Sequence, residues 1–316
     1  MVDISRGTTG VVLPEEVSSE IWSNAQEASA VMQRARQISL PGSGVTVPII
    51  TGDATASWVG ETEEKPVSRA TLSSKSITPY KLAVIEPFSN EFRRDLPALY
   101  AELVRRLPNA LAKQFDQTVF ASSGAPGSNF AQLGGATAVA LSPGANAKTQ
   151  GTYNGLVTAY QDVAAALDGT ASLNGWVLSS AAKGLLLNQV DANGRPLLVD
   201  SIAAGSTVPS LLGEPVSYSR GVYAAGTPAT IGFAGDWSTA VYGTVEGVQI
   251  AITDTASITD GTVDVTVGDG TAGTATIPNV LNLWQRNMFA VRAEIEIGFQ
   301  VRDLAAFVKL TNATIS

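Results

Sequence analysis

The chain has 316 residues, 45% of them hydrophobic and 15% charged, with 20 basic against 28 acidic side chains for a net charge of −8. That length exceeds the ~100 to 200 residues usual for one domain, so two modules or one domain with long excursions are expected, and the apolar content excludes disorder along the whole chain. The absence of cysteine and histidine removes disulfides, thiolate nucleophiles, zinc–thiolate clusters and the commonest general base, while an acidic balance with no long basic run argues against tight binding to a phosphate backbone.

So few charges leave much surface to Ala, Ser, Thr and Gly, which suits a surface covered by other protein and equally a merely neutral one. The first residues, MVDISRGTTGVVLPEE, contain no basic segment followed by an apolar one. No apolar run approaches the ~20 residues of a membrane span, so neither a secretory leader nor a membrane anchor is expected and the chain should stay in the cytosol where it is made.

In chain order, Val17, Ile21, Trp22, Ala25, Ala28 and Met32 recur at spacings of three and four. This predicts an amphipathic helix that runs toward Gln37 and ends near SLPGSG. Val45, Val47 and Ile49 then alternate, and KSITPYKLAVIEPFS returns as a second extended segment. Between these legs lies GDATASWVGETEEKPVSRATLSSK, whose sizeable apolar side chains are Trp58, Val59, Val67 and Leu72. Two extended legs around a polar tip predict a long β-arm. Nothing within that segment can bury Trp58, and burying an aromatic of its size is worth ~2 to 3 kcal/mol, so its natural destination is a pocket on another molecule. Glu61, Glu63 and Glu64 read as a solvated tip or as partners for an Arg on a neighbour.

From Leu96 the period becomes helical: Leu96, Leu99, Tyr100, Leu103, Leu107, Leu111, Phe115 and Val119, continuing toward Ser122 over roughly 40 Å. Pro108 falls inside, where it removes a backbone donor and should bend the axis. Residues 123–150 are rich in Gly, Ala and Ser and read as a connection. A helix follows over Tyr153 to Leu167, stopped by Gly169, then a buried strand in GWVLSS, a helix in AAKGLLLNQV and a hairpin turn at Asn193-Gly194. Alternating strand and helix predicts a compact α/β module. Residues 229–280 read as short strands with Asp-Gly turns at 260–261 and 269–270.

The segment FAVRAEIEIGFQV alternates throughout, with Phe289, Val291, Ala293, Ile295, Ile297, Phe299 and Val301 on one face. At ~3.3 Å per residue it is a strand of roughly 43 Å. Its apolar face needs a partner of similar length, and the long helix is the expected one.

Three catalytic patterns have plainer readings. GDGTAG, residues 268–273, spells a dinucleotide loop, but Pro278 and an extended segment follow where a helix is required, so a β-turn is expected. Ser180 and Lys183 have the spacing of a Ser/Lys dyad without its companion elements, and Ser180 at a helix start reads as an N-cap. Asp254, Asp260, Asp264 and Asp269 lack the spacing of a calcium loop and read as solvated turn residues. No catalytic, cofactor-binding or metal-binding residue is assigned.

The order of these elements resembles the major capsid proteins of tailed bacteriophages with the Hong Kong 97-type fold. The matching pieces are VLPEEVSSEIW, ASWVGETEEKPVS, the run from TPYKLAVIEPFS through the long helix to FDQTVF, WVLSSAAKGLLLNQVDANGRPLL, LLGEPVSYSRGV, IGFAGDWSTAVYG and NLWQRNMFAVRAEIEIGFQVRDLAAFVKL. Together they cover nearly the whole chain.

The resemblance implies an α+β fold: an N-terminal arm and helix over 1–45, an extended loop over 46–85, a peripheral domain with the spine helix from 86–145 and 281–316, and an axial domain over 146–250. Residues 251–280 are longer and richer in Gly and Thr than the usual link and are expected to be an inserted hairpin. The implied function is a structural, non-enzymatic subunit of an icosahedral or prolate shell enclosing double-stranded DNA. Implied partners are the chain itself in pentamers and hexamers, a portal, separate scaffold or decoration proteins, and DNA through weak nonspecific contacts, with no membrane. The shell would assemble in the host cytoplasm; in lacking a long charged helical region ahead of the arm the sequence departs from the resemblance, so a separate scaffold or none is expected in place of a fused one.

In such shells the extended loop lies over an adjacent subunit, which makes Trp58, Val59, Glu61, Glu63, Glu64, Lys65 and Arg69 expected inter-subunit contacts and Pro108 a candidate hinge. Some members join a loop Lys to a neighbour's Asn. Lys65, Lys75, Asn279, Asn282 and Asn287 supply those residue types here. The readings set against this one are an encapsulin-like compartment on the same fold and an enzyme using carboxylates or Ser/Lys.

Overall fold

The apolar spacing of the N-terminal segment forms helix α1 (Glu15–Ala28), but the helix does not run on toward Gln37 as that spacing suggests. In the computed structural model, which describes residues 15–52, 55–69, 71–91, 96–141, 152–187, 210–266 and 274–312, the chain leaves helical geometry at Ser29 (φ −89°, ψ 122°) and restarts as α2 (Ala30–Arg34). Ser29 accepts a hydrogen bond from the Met32 amide through its side chain, and this N-cap satisfies a donor that a continuous helix would have paired internally.

The remaining elements are β1 (Arg36–Ser39), β2 (Val45–Gly52), β3 (Thr71–Ile77), β4 (Tyr80–Ser89), α3 (Leu96–Phe120), β5 (Thr137–Ala140), α4 (Thr152–Gly169), β6 (Gly175–Leu178), α5 (Ser180–Leu187) and β7 (Ser210–Leu211). They continue with β8 (Glu214–Tyr218), β9 (Thr230–Gly235), β10 (Ala240–Thr244), β11 (Gln249–Thr253), β12 (Ser257–Thr266), β13 (Thr274–Asn282), β14 (Met288–Val301) and β15 (Phe307–Thr311). The chain divides into two compact units, one from Met1–Ala25, Leu82–Leu111 and Gly247–Ile295, the other from Gln26–Lys81, Ala112–Glu246 and Glu296–Ser316.

In the first unit the opening half of β14 pairs antiparallel with β11, from Thr253 opposite Ala290 to Gln249 opposite Glu294. β4 also pairs with β14, and Phe88 stacks on Phe289 with centroids 5.6 Å apart. Arg106 on α3 meets Glu86 on β4 at 2.8 Å. β12 and β13 form a separate antiparallel pair. Asp260-Gly261, expected as a turn, lies inside β12: the register shifts between Thr259 and Thr262, and Gly261 adopts φ +72°. A glycine in the left-handed region lets the strand absorb an extra residue as a bulge and carry on. Asp269-Gly270 falls outside the described residues.

The second unit contains a six-stranded sheet in the order β5-β15-β9-β6-β8-β7. Its central strands β6 and β9 are buried almost throughout, and the core around them gathers Leu156 and Val163 of α4, Leu186 of α5, Trp176, Ile231 and Leu310. Gly169 ends α4 at φ +78°, as its position predicts. The segment 123–150 is more than a connection, because Thr137–Ala140 adds β5 parallel to β15 and covers an otherwise open edge. At the start of α5 the capping side chain is Ser179, which accepts from the Ala182 amide, one position before Ser180. Asn193-Gly194 lies outside the described residues. Also in this unit, β10 pairs parallel with β1 and antiparallel with the closing half of β14.

One buried carboxylate ties three segments of the second unit together. Asp116 of α3 is 1% exposed. Its oxygens accept from Ser29 Oγ at 2.6 Å, Ser219 Oγ at 2.7 Å, the Ala30 amide at 3.0 Å and the Val31 amide at 3.4 Å. Burial pushes its carboxyl above the usual carboxylate range, and the four donors pull the other way. A folded carboxyl that holds its proton more tightly than an unfolded one contributes stability that declines as pH rises from ~4 through the raised folded value and is level above it.

Replacing Asp116 with Ala strands two serine hydroxyls and two amides. It should cost the unassembled subunit about 3 kcal/mol in denaturant unfolding at pH 7, and remove the part of the wild-type stability that falls as pH rises above ~4.

Candidate functional site

A paired β-arm forms and its outgoing leg lies where the alternation predicts, but the strand that pairs with it, β3, falls mostly within the segment read as the polar tip. β2 and β3 pair antiparallel from Val45 opposite Ile77 to Gly52 opposite Thr71. The return leg, expected as one extended run, is cut at Thr78-Pro79, where proline lacks a ladder donor; the chain restarts as β4.

Beyond the ladder, Thr55 and Ser68 face each other, Ser68 Oγ accepting from the Thr55 amide at 2.7 Å and lying 3.2 Å from its hydroxyl. A turn follows at the tip, where Glu63 accepts from the Gly60 amide through its side chain at 3.1 Å and Thr62 takes φ 77°. Small hydroxylated and charged neighbours supply no core, and Trp58 is fully exposed at 105% of its reference area. Glu61, Glu63, Glu64, Lys65 and Arg69 are exposed around it and Val59 is half-buried. Six of the seven expected contact residues thus lie in the tip beyond the Thr55–Ser68 neck, and Arg69 stands just on its ladder side.

The root of the arm is held against the end of β14. Lys75 Nζ donates to the Val301 carbonyl at 2.9 Å, and Gln300 Nε2 to the Ser76 carbonyl at 3.3 Å. Gly298 permits the approach: a Cβ there would stand 2.7 Å from the Thr78 carbonyl oxygen. Beside this root opens a cavity of about 500 Å³, with Ile38, Val47, Ile77 and Val241 among its apolar walls and Arg36, Lys75 and Arg302 as its charged ones. No carboxylate lines it among the described residues. Arg36, Lys75 and Arg302 come from three distant stretches of chain. The parallel pairing of β1 with β10 and the antiparallel pairing of β10 with β14 bring Arg36 and Arg302 together, and the hydrogen bond from Lys75 to the Val301 carbonyl brings in the arm's root, so sequence reasoning had no signal for this cavity.

Helix α3 continues through Pro108, which is buried, and Leu107, Leu111, Phe115 and Val119 are buried on the expected face. In the second unit Phe115 meets Phe299 edge-on with centroids 6.3 Å apart, so the expected packing of the long helix on the long strand is present there. β14 alternates as read, with Ala290 and Gly298 buried as well.

Among the described residues, side chains of the other motifs make local contacts. Lys183 places its ammonium 5.4 Å from the centre of the Tyr218 ring. Asn279 donates to the Asp260 carbonyl, Asn282 accepts from the Gln285 amide and Asn287 accepts from Asn90. GDGTAG lies outside the described residues, as does Asp269. Among the described residues no group of three or more acidic side chains is placed to hold a metal ion, and no helix is long and apolar enough to cross a membrane.

Residues 9–312 match the phage capsid family. The chain belongs to that family. It is 31% identical over 315 residues to the probable major capsid protein gp17 of Mycobacterium phage D29, an alignment covering 96% of this chain and 90% of the relative. A solved structure from Mycobacterium phage Bobi, 21% identical, superposes with a TM-score of 0.68 over 90% of each chain. A capsid of a native GTA particle computed with C5 symmetry, 18% identical, superposes at 0.63 over 99% of this chain and 96% of that one. The protein is therefore a phage major capsid protein, a structural subunit of the shell, and its mixed helix and sheet fold is the one those structures share.

Proposed function

We propose that the chain follows the Hong Kong 97-type plan in full, with an extended loop over 46–85, a peripheral domain from 86–145 and 281–316, an axial domain over 146–250 and an inserted hairpin over 251–280. Copies meet through heterologous contacts around five- and six-fold positions and close into an icosahedral or prolate shell around double-stranded DNA. Assembly takes place in the host cytoplasm, with a portal and with or without separate scaffold and decoration proteins, and the subunit performs no catalysis. The observation that carries the reading is Trp58, a large aromatic held fully exposed at the end of a paired arm. Such a side chain has its burial waiting on another molecule. Trp58, Val59, Glu61, Glu63, Glu64, Lys65 and Arg69 are the proposed inter-subunit contacts. A net charge of −8 suits a wall from which packed DNA is released rather than bound.

Electron microscopy of the purified protein, alone and with the products of its neighbouring genes, should show closed shells. A chain that stays monomeric at high concentration in both conditions overturns the proposal.

Trp58→Ala should leave thermal unfolding of the isolated subunit almost unchanged and lower the stability of intact particles, since truncating a buried aromatic costs ~3 to 5 kcal/mol at each copy of the contact. Equal losses in subunit and particle place Trp58 in its own subunit's core instead.

Pro108 is proposed as a hinge. The ring leaves the carbonyl four residues earlier without its helical donor and lowers the resistance of α3 to bending. Pro108→Ala should fold normally while shifting precursor curvature or the yield of mature particles; unchanged assembly and maturation remove the hinge.

A further inference from the structure

The cavity at the root of the arm and the tip of the arm are complementary in chemistry. The cavity has apolar walls, Ile38, Val47, Ile77 and Val241 among them, with Arg36, Lys75 and Arg302 set into them and no carboxylate in its lining among the described residues. The tip presents Trp58 and Val59 followed within five positions by Glu61, Glu63 and Glu64. Apolar walls beside three cations thus face apolar anchors beside three carboxylates, the arrangement in which a desolvated aromatic supplies binding and surrounding charge pairs supply register. A volume of about 500 Å³ has room for an indole and an isopropyl group together.

The tip does not fill the cavity of its own chain. The ladder between Pro48 opposite Ser74 and Gly52 opposite Thr71 carries the loop away from the root by four residue steps, ~13 Å at ~3.3 Å per step. Trp58 is fully exposed in its own subunit.

We infer that the cavity beside the root of one arm is the receptor for the arm tip of a second copy: Trp58 and Val59 enter against Ile38 and Val241, while Glu61, Glu63 and Glu64 meet Arg36, Lys75 and Arg302. This rests on the arm's being an inter-subunit element and adds where it lands. Successive copies then join head to tail, because each subunit carries one tip and one receptor on different parts of its surface, the condition for ring closure by a heterologous contact. The cations also have the chemistry to bind a DNA phosphate, but that occupant leaves the apolar walls unmatched.

The natural chain has no cysteine, so an introduced pair reports alone. In a chain carrying Val59→Cys and Val241→Cys, oxidation of assembled particles should give a ladder of covalent oligomers on a non-reducing gel. Neither the single variants nor the unassembled subunit should give one. Particles of normal size without the ladder overturn the receptor while leaving the shell reading intact, and a phosphate in the cavity gives that same result.

If the pair variant does not assemble, charge reversal decides. Arg36→Glu with Arg302→Glu should lower particle yield about tenfold, and so should Glu61→Lys, Glu63→Lys and Glu64→Lys together. Combining the two sets should restore most of the yield; failure of the combination overturns the pairing. A wild-type chain that forms no shell under any condition defeats the functional proposal itself, a result separate from all of these.

Discussion

A strand of fourteen residues with one apolar face must be covered along its whole length, and much of the architecture follows from how β14 meets that requirement. Its opening half is flanked by β11, and its closing half by β10, which in turn holds β1. Phe289 stacks with Phe88, and Phe299 joins Phe115 and Phe130 in an aromatic cluster. Each contact removes apolar area from water at roughly 25 cal/mol per Å². The same strand anchors the arm, since Gly298, Gln300 and Val301 at its end receive the residues at the root of the hairpin. The arm is thereby rooted in a strand whose apolar face is buried along its length.

The polar counterpart is Asp116. A carboxylate at 1% exposure is costly unless its oxygens are occupied, and here two hydroxyls and two amides occupy them. Both serines are engaged twice: Ser29 Oγ also accepts from Met32 and Ser219 Oγ from Gly221. The network fixes where α1 stops, and so the path by which the chain enters β1 beside the cavity.

The periodic elements were legible in the sequence because burial on one face imposes a period: α3, α4, the outgoing leg of the arm and β14 lie where their apolar spacing puts them, whereas the return leg is β3, mostly within the stretch read as the tip. The departures come from partners distant in sequence. Ser29 interrupts an unbroken helical pattern because Asp116, 87 positions away, draws its hydroxyl. Thr137–Ala140 forms a strand in a low-complexity stretch because β15, from the far end of the chain, offers an edge. Asp260-Gly261 has the letters of a turn, yet a neighbouring strand continues past it and the glycine makes a bulge. Of the candidate site, the tip was legible because Trp58 has no local place to go, whereas the cavity was not, since its three cations converge through long-range strand pairing and the Lys75 bond to the Val301 carbonyl.

The hydrogen bonds between Thr55 and Ser68 and the turn at Gly60 to Glu63 give the loop tip a partial shape before it meets anything. Ordering a free loop of fifteen or so residues at the moment of docking would consume ~1 kcal/mol or more of backbone entropy for each residue fixed. A neck already cinched transfers part of that loss to folding, where it is incurred once per chain. With the tip docking as proposed, even a small saving at each junction multiplies with copy number, and the two hydroxyls at the neck then bear on the sharpness with which the particle closes.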